Sequence, residues 1–193
     1  DVFVYTADGA TANLTITVTG INDAPVATND TGSVNEDATL SVSNGSGDII
    51  DNNDTDADDS ASLVVSAVRI GGVEGSGNAG TVGQALTGTY GQLTLNANGS
   101  YSYVANQDAA DDLDASDQVT DVFNYTLSDG TATDTATITI TVTGINDAPV
   151  ADNETGAVNE DATLTVTDGT SDVLHGDTDA DDSASLTVSA IRT

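Results

Sequence analysis

Internal repetition constrains the fold of this chain more than any other feature of its sequence. The nine residues 19–27 (TGINDAPVA) recur unchanged as residues 143–151, at an offset of about 124 residues. Two further stretches recur at nearly the same offset: residues 34–40 as 158–164, and residues 54–63 as 177–186. A repeat of this length can form a small domain. The sequence therefore predicts tandem modules that share one fold.

The register of the repeats divides the chain into three parts. Residues 1–6 (DVFVYT) correspond to residues 121–126 (DVFNYT), so residues 1–20 are expected to be the C-terminal end of one repeat. Residues 21–144 are expected to be one complete repeat, and residues 145–193 the N-terminal part of a following repeat. Because both ends fall inside repeats, we expect the natural polypeptide to be longer.

Alternation of apolar and polar residues predicts strands and no helix in the complete repeat. The clearest alternation lies in residues 133–143, which end in Thr-Ile-Thr-Ile-Thr-Val-Thr. The other predicted strands are 38–43, 62–70, 91–95, 100–104 and 121–127. The pair Asn98-Gly99 is typical of a hairpin turn. The pattern predicts an all-β fold, an antiparallel β-sandwich with Greek-key-like connections.

Strand order places the loops of this sandwich at two ends. We call the end at which the linker enters the N pole and the opposite end, from which the next linker leaves, the C pole. Because successive strands reverse direction, Asp54, Asp56 and Asp129 are expected at the N pole. Glu36 and Asp114 are expected at the C pole. Acidic loops therefore face the linkers at both poles.

The charge of the chain is strongly acidic. It has 32 Asp and Glu residues against two basic residues, and a net charge of −30. Such a charge repels itself unless cations or high salt offset it. It argues against nucleic-acid binding and against binding to anionic membranes, since both require Lys and Arg. The chain has no Cys, and no apolar run is long enough for membrane insertion.

Calcium is the cation that these loops would suit, because it takes six to eight oxygen ligands from carboxylates, amides and carbonyls. At the second linker the candidates come from the complete repeat, the linker and the following repeat. The predicted ligands across both linkers are Asn22, Asp23, Glu36, Asp54, Asp56, Asp114, Asp129, Asn146, Asp147, Glu160, Asp177 and Asp179. The acidic residue Asp58, taken alone, is interpreted as a solvated charge.

Catalysis has little support in the sequence. The only His is His175, and the corresponding part of the earlier repeat has none. Paired carboxylates could serve a glycosidase, but the chain has no Trp on which a sugar could stack. We therefore predict that the chain is not an enzyme.

Four stretches carry a resemblance to a known repeat family: residues 90–103 (YGQLTLNANGSYSY), 113–114 (LD), 121–130 (DVFNYTLSDG) and 143–150 (TGINDAPV). Together they resemble the VCBS repeat, which occurs as tandem extender modules in giant bacterial surface and RTX-type adhesins. The resemblance covers essentially the whole chain.

A second resemblance lies in the order of the acidic residues. The linker run from Asn22 to Pro25, with Glu36 after it, is similar to the cadherin pattern of calcium ligands. Asp54, Asp56, Asp114 and Asp129 follow in matching order. Gly144 departs from the pattern, since cadherins have Asp there. The resemblance implies immunoglobulin-like or cadherin-like sandwich modules in tandem, with one or two calcium ions per junction.

These observations favour a secreted structural extender, rigidified by calcium, at the bacterial cell surface. Its partners are expected to be the neighbouring repeats of its own chain. One alternative is a subunit of an extracellular filament or surface layer, in which identical chains assemble. Another is a carbohydrate-binding accessory module. A third is that the acidity reflects adaptation to high salt alone.

Overall fold

The structure is a computed structural model of the chain. It describes residues 1–45, 47–58, 62–167, 169, 172–181 and 183–192. These residues form ten strands and one short helix: β1 Val2–Ala7, β2 Ala10–Thr15, β3 Asp30–Asn35, β4 Thr39–Val42, β5 Val64–Ile70, β6 Ala85–Thr87, β7 Gln92–Leu95, β8 Tyr101–Val104, α1 Asp108–Asp111, β9 Gln118–Ser128 and β10 Thr133–Thr143. Over this described part of the chain, no helix has the length and hydropathy that a membrane crossing requires.

The strands β3 to β10 form a two-layered β-sandwich, which confirms the predicted fold class. One sheet has the order β3-β10-β9-β5 and the other the order β4-β8-β7-β6. The alternation in β10 buries Ala136, Ile138, Ile140 and Val142, while the Thr residues between them remain partly exposed. The predicted bounds of β10, residues 133–143, are those of the structure.

The core lies between the two sheets. Phe123 and Leu127 from β9 pack with Leu93 from β7 and Tyr103 from β8, and all four are fully buried. The rings of Tyr103 and Phe123 meet edge to face, with centroids 6.4 Å apart. This pair joins the two sheets, because Tyr103 lies on β8 and Phe123 on β9.

A buried carboxylate ties the two sheets together. Asp121 on β9 accepts hydrogen bonds from the backbone N–H groups of Thr89 at 2.9 Å, Tyr90 at 3.0 Å and Gly91 at 3.2 Å. It also accepts the Tyr103 hydroxyl at 2.6 Å. These donors belong to the segment before β7 and to β8, in the opposite sheet. Four donors offset the cost of burying the charge.

One strand pair departs from the antiparallel prediction. β3 runs parallel to β10, with six residue pairs in register from Asp30↔Ile138 to Asn35↔Thr143. This regular strand begins at Asp30, and before it Val26 makes only a single bridge to Thr55. Residues 27–29, between this bridge and β3, belong to no strand.

Two short elements were not predicted from the sequence. α1 is a single turn of four residues, which is too short to show helical periodicity. β6 has three residues, and only the middle one is partly buried. The sequence pattern could not reveal either element, because neither is long enough to span two full periods of its pattern.

The two ends of the chain are folded less regularly than the complete module. β1 and β2 pair as an antiparallel hairpin that corresponds to β9 and β10, and all of its residues are exposed. In residues 145–192, the described part shows turns and the bridge Val150–Thr178, which corresponds to Val26–Thr55.

Candidate metal centres

Glu36 is the most deeply buried acid of the C pole. It is 1% exposed and directly follows β3. Its Oε1 accepts the backbone N–H of Ile145 at 2.5 Å, whereas Oε2 has no hydrogen-bond partner among the residues that the structure describes. Burial raises the pKa of this carboxyl above its usual range, and the charges of Asp147 and Asp181 raise it further, against the effect of the Ile145 N–H. A cation at Oε2 would offset this cost.

The following module contributes a pair of aspartates to the same place. The backbone N–H of Asp147 donates to Oδ2 of Asp181 at 3.1 Å, which brings the linker against the loop. Asp179 lies beside them, since its Oδ1 accepts the backbone N–H of Asp181 at 3.2 Å. The other oxygen of Asp181, Oδ1, is buried and has no partner in the described part of the chain. Asp181 was not among the predicted ligands.

Asp114 reaches the following module from the C-pole side. Its Oδ1 accepts the backbone N–H of Ser183 at 3.2 Å, and its Oδ2 accepts the Ser183 hydroxyl. A cleft of about 620 Å³ separates the two modules here. Its acidic and amide lining residues are Asp114, Asn146, Asp147, Asp177, Asp179 and Asp181. The predicted convergence at the second linker is therefore present in the geometry.

The N pole of the complete module repeats this arrangement. The Asn22 amide donates to Oδ2 of Asp129 at 2.9 Å, and the Asp23 backbone N–H donates to Oδ2 of Asp58 at 3.0 Å. Asp56 accepts the Asp58 backbone N–H through Oδ1 at 2.8 Å, while its Oδ2 is buried and unpartnered among the described residues. Asp58 is therefore part of the junction, contrary to its interpretation as a solvated charge.

Asp129 is placed to favour its charged form. The backbone N–H of Ala132 lowers the pKa of its carboxyl most strongly, followed by the Asn22 amide and the N–H of Thr131. Both N–H groups bond to Oδ1, at 2.7 and 2.6 Å. The turn between β9 and β10 thus holds an ionised carboxylate against the linker.

Asp54 accepts its hydrogen bonds from groups within its own module. Its Oδ1 accepts the backbone N–H of Thr28 at 2.7 Å, and its Oδ2 lies 3.4 Å from the donating hydroxyl of Tyr125. The same hydroxyl donates to Oδ2 of Asp30 at 3.0 Å, and the Asn52 amide donates to Oδ1 of Asp30. Burial raises the pKa of Asp30 to about 6 and raises that of Asp54 as well. In this network Asp54 is a structural acceptor.

The counterpart of that network in the following module is a group of three acids. Carboxylate oxygens of Asp152, Glu154 and Asp177 lie within 4.8 Å of one another. Asp177 Oδ1 accepts the backbone N–H of Asp152 at 2.9 Å, as Asp54 accepts that of Thr28. The hydrogen bond with Asp152 raises the pKa of Glu154. Asp152 and Glu154 were not predicted as ligands, and both are exposed.

Close packing explains why Gly144 stands where the cadherin pattern has Asp. A Cβ at this position would lie 2.2 Å from the carbonyl oxygen of Asp114. The Gly144 backbone also donates to the Asp117 carbonyl at 2.9 Å and accepts the Ser116 N–H at 3.0 Å. An Asp side chain could not occupy this space, so the ligand that it would supply is missing from the junction.

Two other residues singled out in the sequence lie apart from these clusters. Glu160, the counterpart of Glu36, is exposed in the tail. His175 is exposed, and its backbone N–H donates to the carbonyl of Asp172 in a turn.

The amide side chains of the two linkers make the same contact, because Asn22 and Asn146 each donate to the carbonyl of the following Asp.

The β-sandwich carries acidic loops and linker carboxylates at both poles. This arrangement is typical of modules that are joined in tandem through polar junctions. Residues 22–144 match the family model of the bacterial cadherin-like domain, and the chain belongs to that family. No curated protein matches the chain. Seven chains of solved structures match it. One is the crystal structure of human CDH23 EC21-23, with 16% identity and a TM-score of 0.42 over 89% of this chain and 51% of that one.

Family membership sets the general class of function. Cadherin-like domains are extracellular structural or adhesive modules, are typically non-enzymatic, and generally bind calcium. The chain spans about half the length of the human structure that it matches. The buried, unpartnered carboxylate oxygens at the poles suit a calcium ion in charge and ligand type.

Proposed function

We propose that this chain is a structural extender of a bacterial cell-surface adhesin, made rigid by calcium at the junctions between its modules. The observation that carries the proposal is the pair of unpartnered buried oxygens, Glu36 Oε2 and Asp181 Oδ1, at one junction. One oxygen belongs to the complete module and the other to the following one. A single cation between them would join the modules directly.

Electrostatics makes the junction responsive to the ion. Without a cation, burial disfavours the charge of Glu36, and the charges of Asp147 and Asp181 oppose it further, so that both effects raise the pKa of Glu36. With calcium bound, the same groups attract one centre, so the linker is held in one orientation. The proposed ligands at this junction are Glu36, Asp114, Asn146, Asp147, Asp179 and Asp181. Because Gly144 supplies no carboxylate, we expect one or two ions here.

The extender role follows from how the modules are joined. The partner of each module is the neighbouring repeat of the same polypeptide, which the linker and Asp114 contact directly. Repetition of such junctions would produce a long, stiff stalk, and the resemblance to VCBS repeats supports a role for that stalk in a surface adhesin. Its function is to hold a terminal binding domain away from the cell.

Thermal unfolding of the chain, with calcium titrated against sodium at equal ionic strength, tests the proposal. We expect calcium to raise the midpoint by several degrees and to lengthen and stiffen the particle in small-angle scattering. Sodium should do neither. The variant Glu36→Gln should lose most of the calcium response, while Glu74→Gln, which alters an exposed glutamate outside the junction, should keep it. Equal effects of the two salts would refute calcium rigidification.

A further inference from the structure

Tension on a stalk enters each module through one linker and leaves through the next. The inference below rests on the proposed function, because only a stalk carries such tension. In the complete module, β3 is the first strand after the N-pole linker and β10 is the last before the C-pole linker. These two strands are neighbours in one sheet and run parallel.

This arrangement loads the strand pair in shear. One linker pulls the N-terminal end of β3 and the other pulls the C-terminal end of β10, in opposite directions. Since the strands are parallel, the pull slides one along the other and strains all six paired positions together. A pull that separated the strands from one end would break their bonds in succession, which requires less force.

Additional bonds lock the pair at the N pole. The backbone N–H of Ala27 donates to Oδ2 of Asp134 at 2.8 Å. Both the backbone N–H and the hydroxyl of Thr137 donate to Oδ1 of Asn29, at 2.9 and 3.0 Å. These side chains extend the contact between the two segments by several residues before β3 begins.

The C pole carries a corresponding lock. The backbone N–H of Glu36 donates to the carbonyl of Thr143 at 3.0 Å, which continues the ladder past the end of β3. The Glu36 side chain then accepts the N–H of Ile145. Bonds between the two segments therefore run from Ala27 to Ile145 along the whole length of the module.

We infer that the β3–β10 pair, together with its end locks, is the force-bearing clamp of the module. Force passes from linker to linker through these two strands, and the strands between them in sequence are shielded while the clamp holds. When the clamp ruptures, about 120 residues are released, which corresponds to about 400 Å of extended chain. Each module then acts as a reserve of length that opens only at high force.

Single-molecule pulling in two directions tests this inference. The chain has no Cys, so introduced cysteines give unique attachment points. The pair Ala24→Cys and Ala148→Cys, both at exposed positions, applies force along the linkers. The pair Ala24→Cys and Thr131→Cys attaches both handles at the N pole and separates β3 from β10 at one end. We expect a several-fold higher rupture force in the first geometry. Equal forces, or a higher force in the second, would overturn the clamp.

A side-chain variant tests the end lock without altering a proposed metal ligand. Asn29→Ala removes the acceptor of Thr137 and should lower the rupture force along the linkers more than the force in the separating geometry, in which these bonds break singly. Asn78→Ala, an exposed position outside the clamp, should change neither. If Asn29→Ala alters both geometries equally, or neither, the assigned lock is wrong.

The same measurement in a chelator separates this inference from the proposed function. The directional difference in rupture force should persist without calcium, because backbone and Asn29 bonds produce it. A chain that keeps this difference but shows no calcium response refutes calcium rigidification alone. A chain that responds to calcium but shows no directional difference refutes the clamp alone.

Discussion

Ile145 donates its backbone N–H to Oε1 of Glu36, so the start of the linker is bonded to a side chain that the complete module buries. The second oxygen of the same carboxylate has no partner in the part of the chain that the structure describes. One side chain therefore fixes the direction of the linker and offers a ligand at the junction. Linker orientation and ion binding are coupled through this group.

The coupling leads to a prediction for Asp181. We expect Asp181→Asn to lower calcium affinity roughly tenfold or more, because a charged ligand is replaced by a neutral one that still accepts the Asp147 N–H. Isothermal titration calorimetry of the whole chain measures this effect.

The matched control for this prediction is Asp161→Asn, an exposed aspartate of the same tail with a left-handed backbone that Asn tolerates. It should bind calcium as the unaltered chain does. If the two variants bind calcium equally well, Asp181 is not a ligand.

Gly144 and Gly20 occupy equivalent positions in the repeat but have different surroundings. A Cβ at Gly144 would lie 2.2 Å from the Asp114 carbonyl oxygen, whereas one at Gly20 would have nothing within 4 Å. We expect Gly144→Ala to lower the free energy of unfolding by about 1–3 kcal/mol, because the loop at Asp114 must move. Gly20→Ala should be close to neutral. Urea unfolding of the two variants checks this, and equal stabilities would contradict the close packing at the junction.

The Asp121 carboxylate gives a prediction for the fold itself. Asp121→Asn replaces an acceptor of four donors by a group with only one acceptor oxygen, so at least one buried N–H or hydroxyl loses its partner. We expect a loss of about 2–4 kcal/mol in the free energy of unfolding. Urea denaturation measures it.

Asp117→Asn, at an exposed position just before the same strand, is the matched control for Asp121 and should change stability little. A small effect of Asp121→Asn would show that the donors find other partners.

Much of the sandwich was predictable because its strands are long and alternate regularly. The bounds of β10 and the placement of Asp129 beside Asn22 follow from alternation and strand order alone. The parallel pairing of β3 was missed because alternation identifies a strand but reveals neither its neighbour in the sheet nor the direction of the pairing.

The aspartates of the N pole show a second limit of the sequence. The run from Asp54 to Asp58 offers two overlapping pairs of aspartates, and local spacing does not distinguish them. Tyr125, about 70 residues later, makes the distinction, since its hydroxyl engages Asp54 and Asp30 in the interior. Asp56 and Asp58 then remain at the linker. A long-range contact therefore separates the surroundings of Asp54 from those of Asp56 and Asp58, which spacing along the sequence does not reveal.

The raised pKa of Asp30 predicts how the free energy of unfolding depends on pH when calcium is absent. Its carboxyl is buried, and the charges of Asp54 and Asp48 oppose its ionisation, so burial and these charges raise the pKa from 3.8 to about 6, although bonds from Asn52 and Tyr125 oppose the rise. Between these two values the folded chain holds a proton that the unfolded chain has lost. The free energy of unfolding therefore falls as pH rises through this window and levels off above about pH 6.

The variant Asp30→Asn isolates this effect. We expect its free energy of unfolding to change less between pH 4.5 and 6 than that of the unaltered chain, because the carboxyl that takes up the proton is gone. Thermal unfolding in a chelator at a series of pH values measures this slope, and Asp51→Asn, an exposed neighbour, serves as the control. If the slope of Asp30→Asn equals that of the unaltered chain, the carboxyl of Asp30 titrates normally, and the buried network around Tyr125 stabilises its charged form after all.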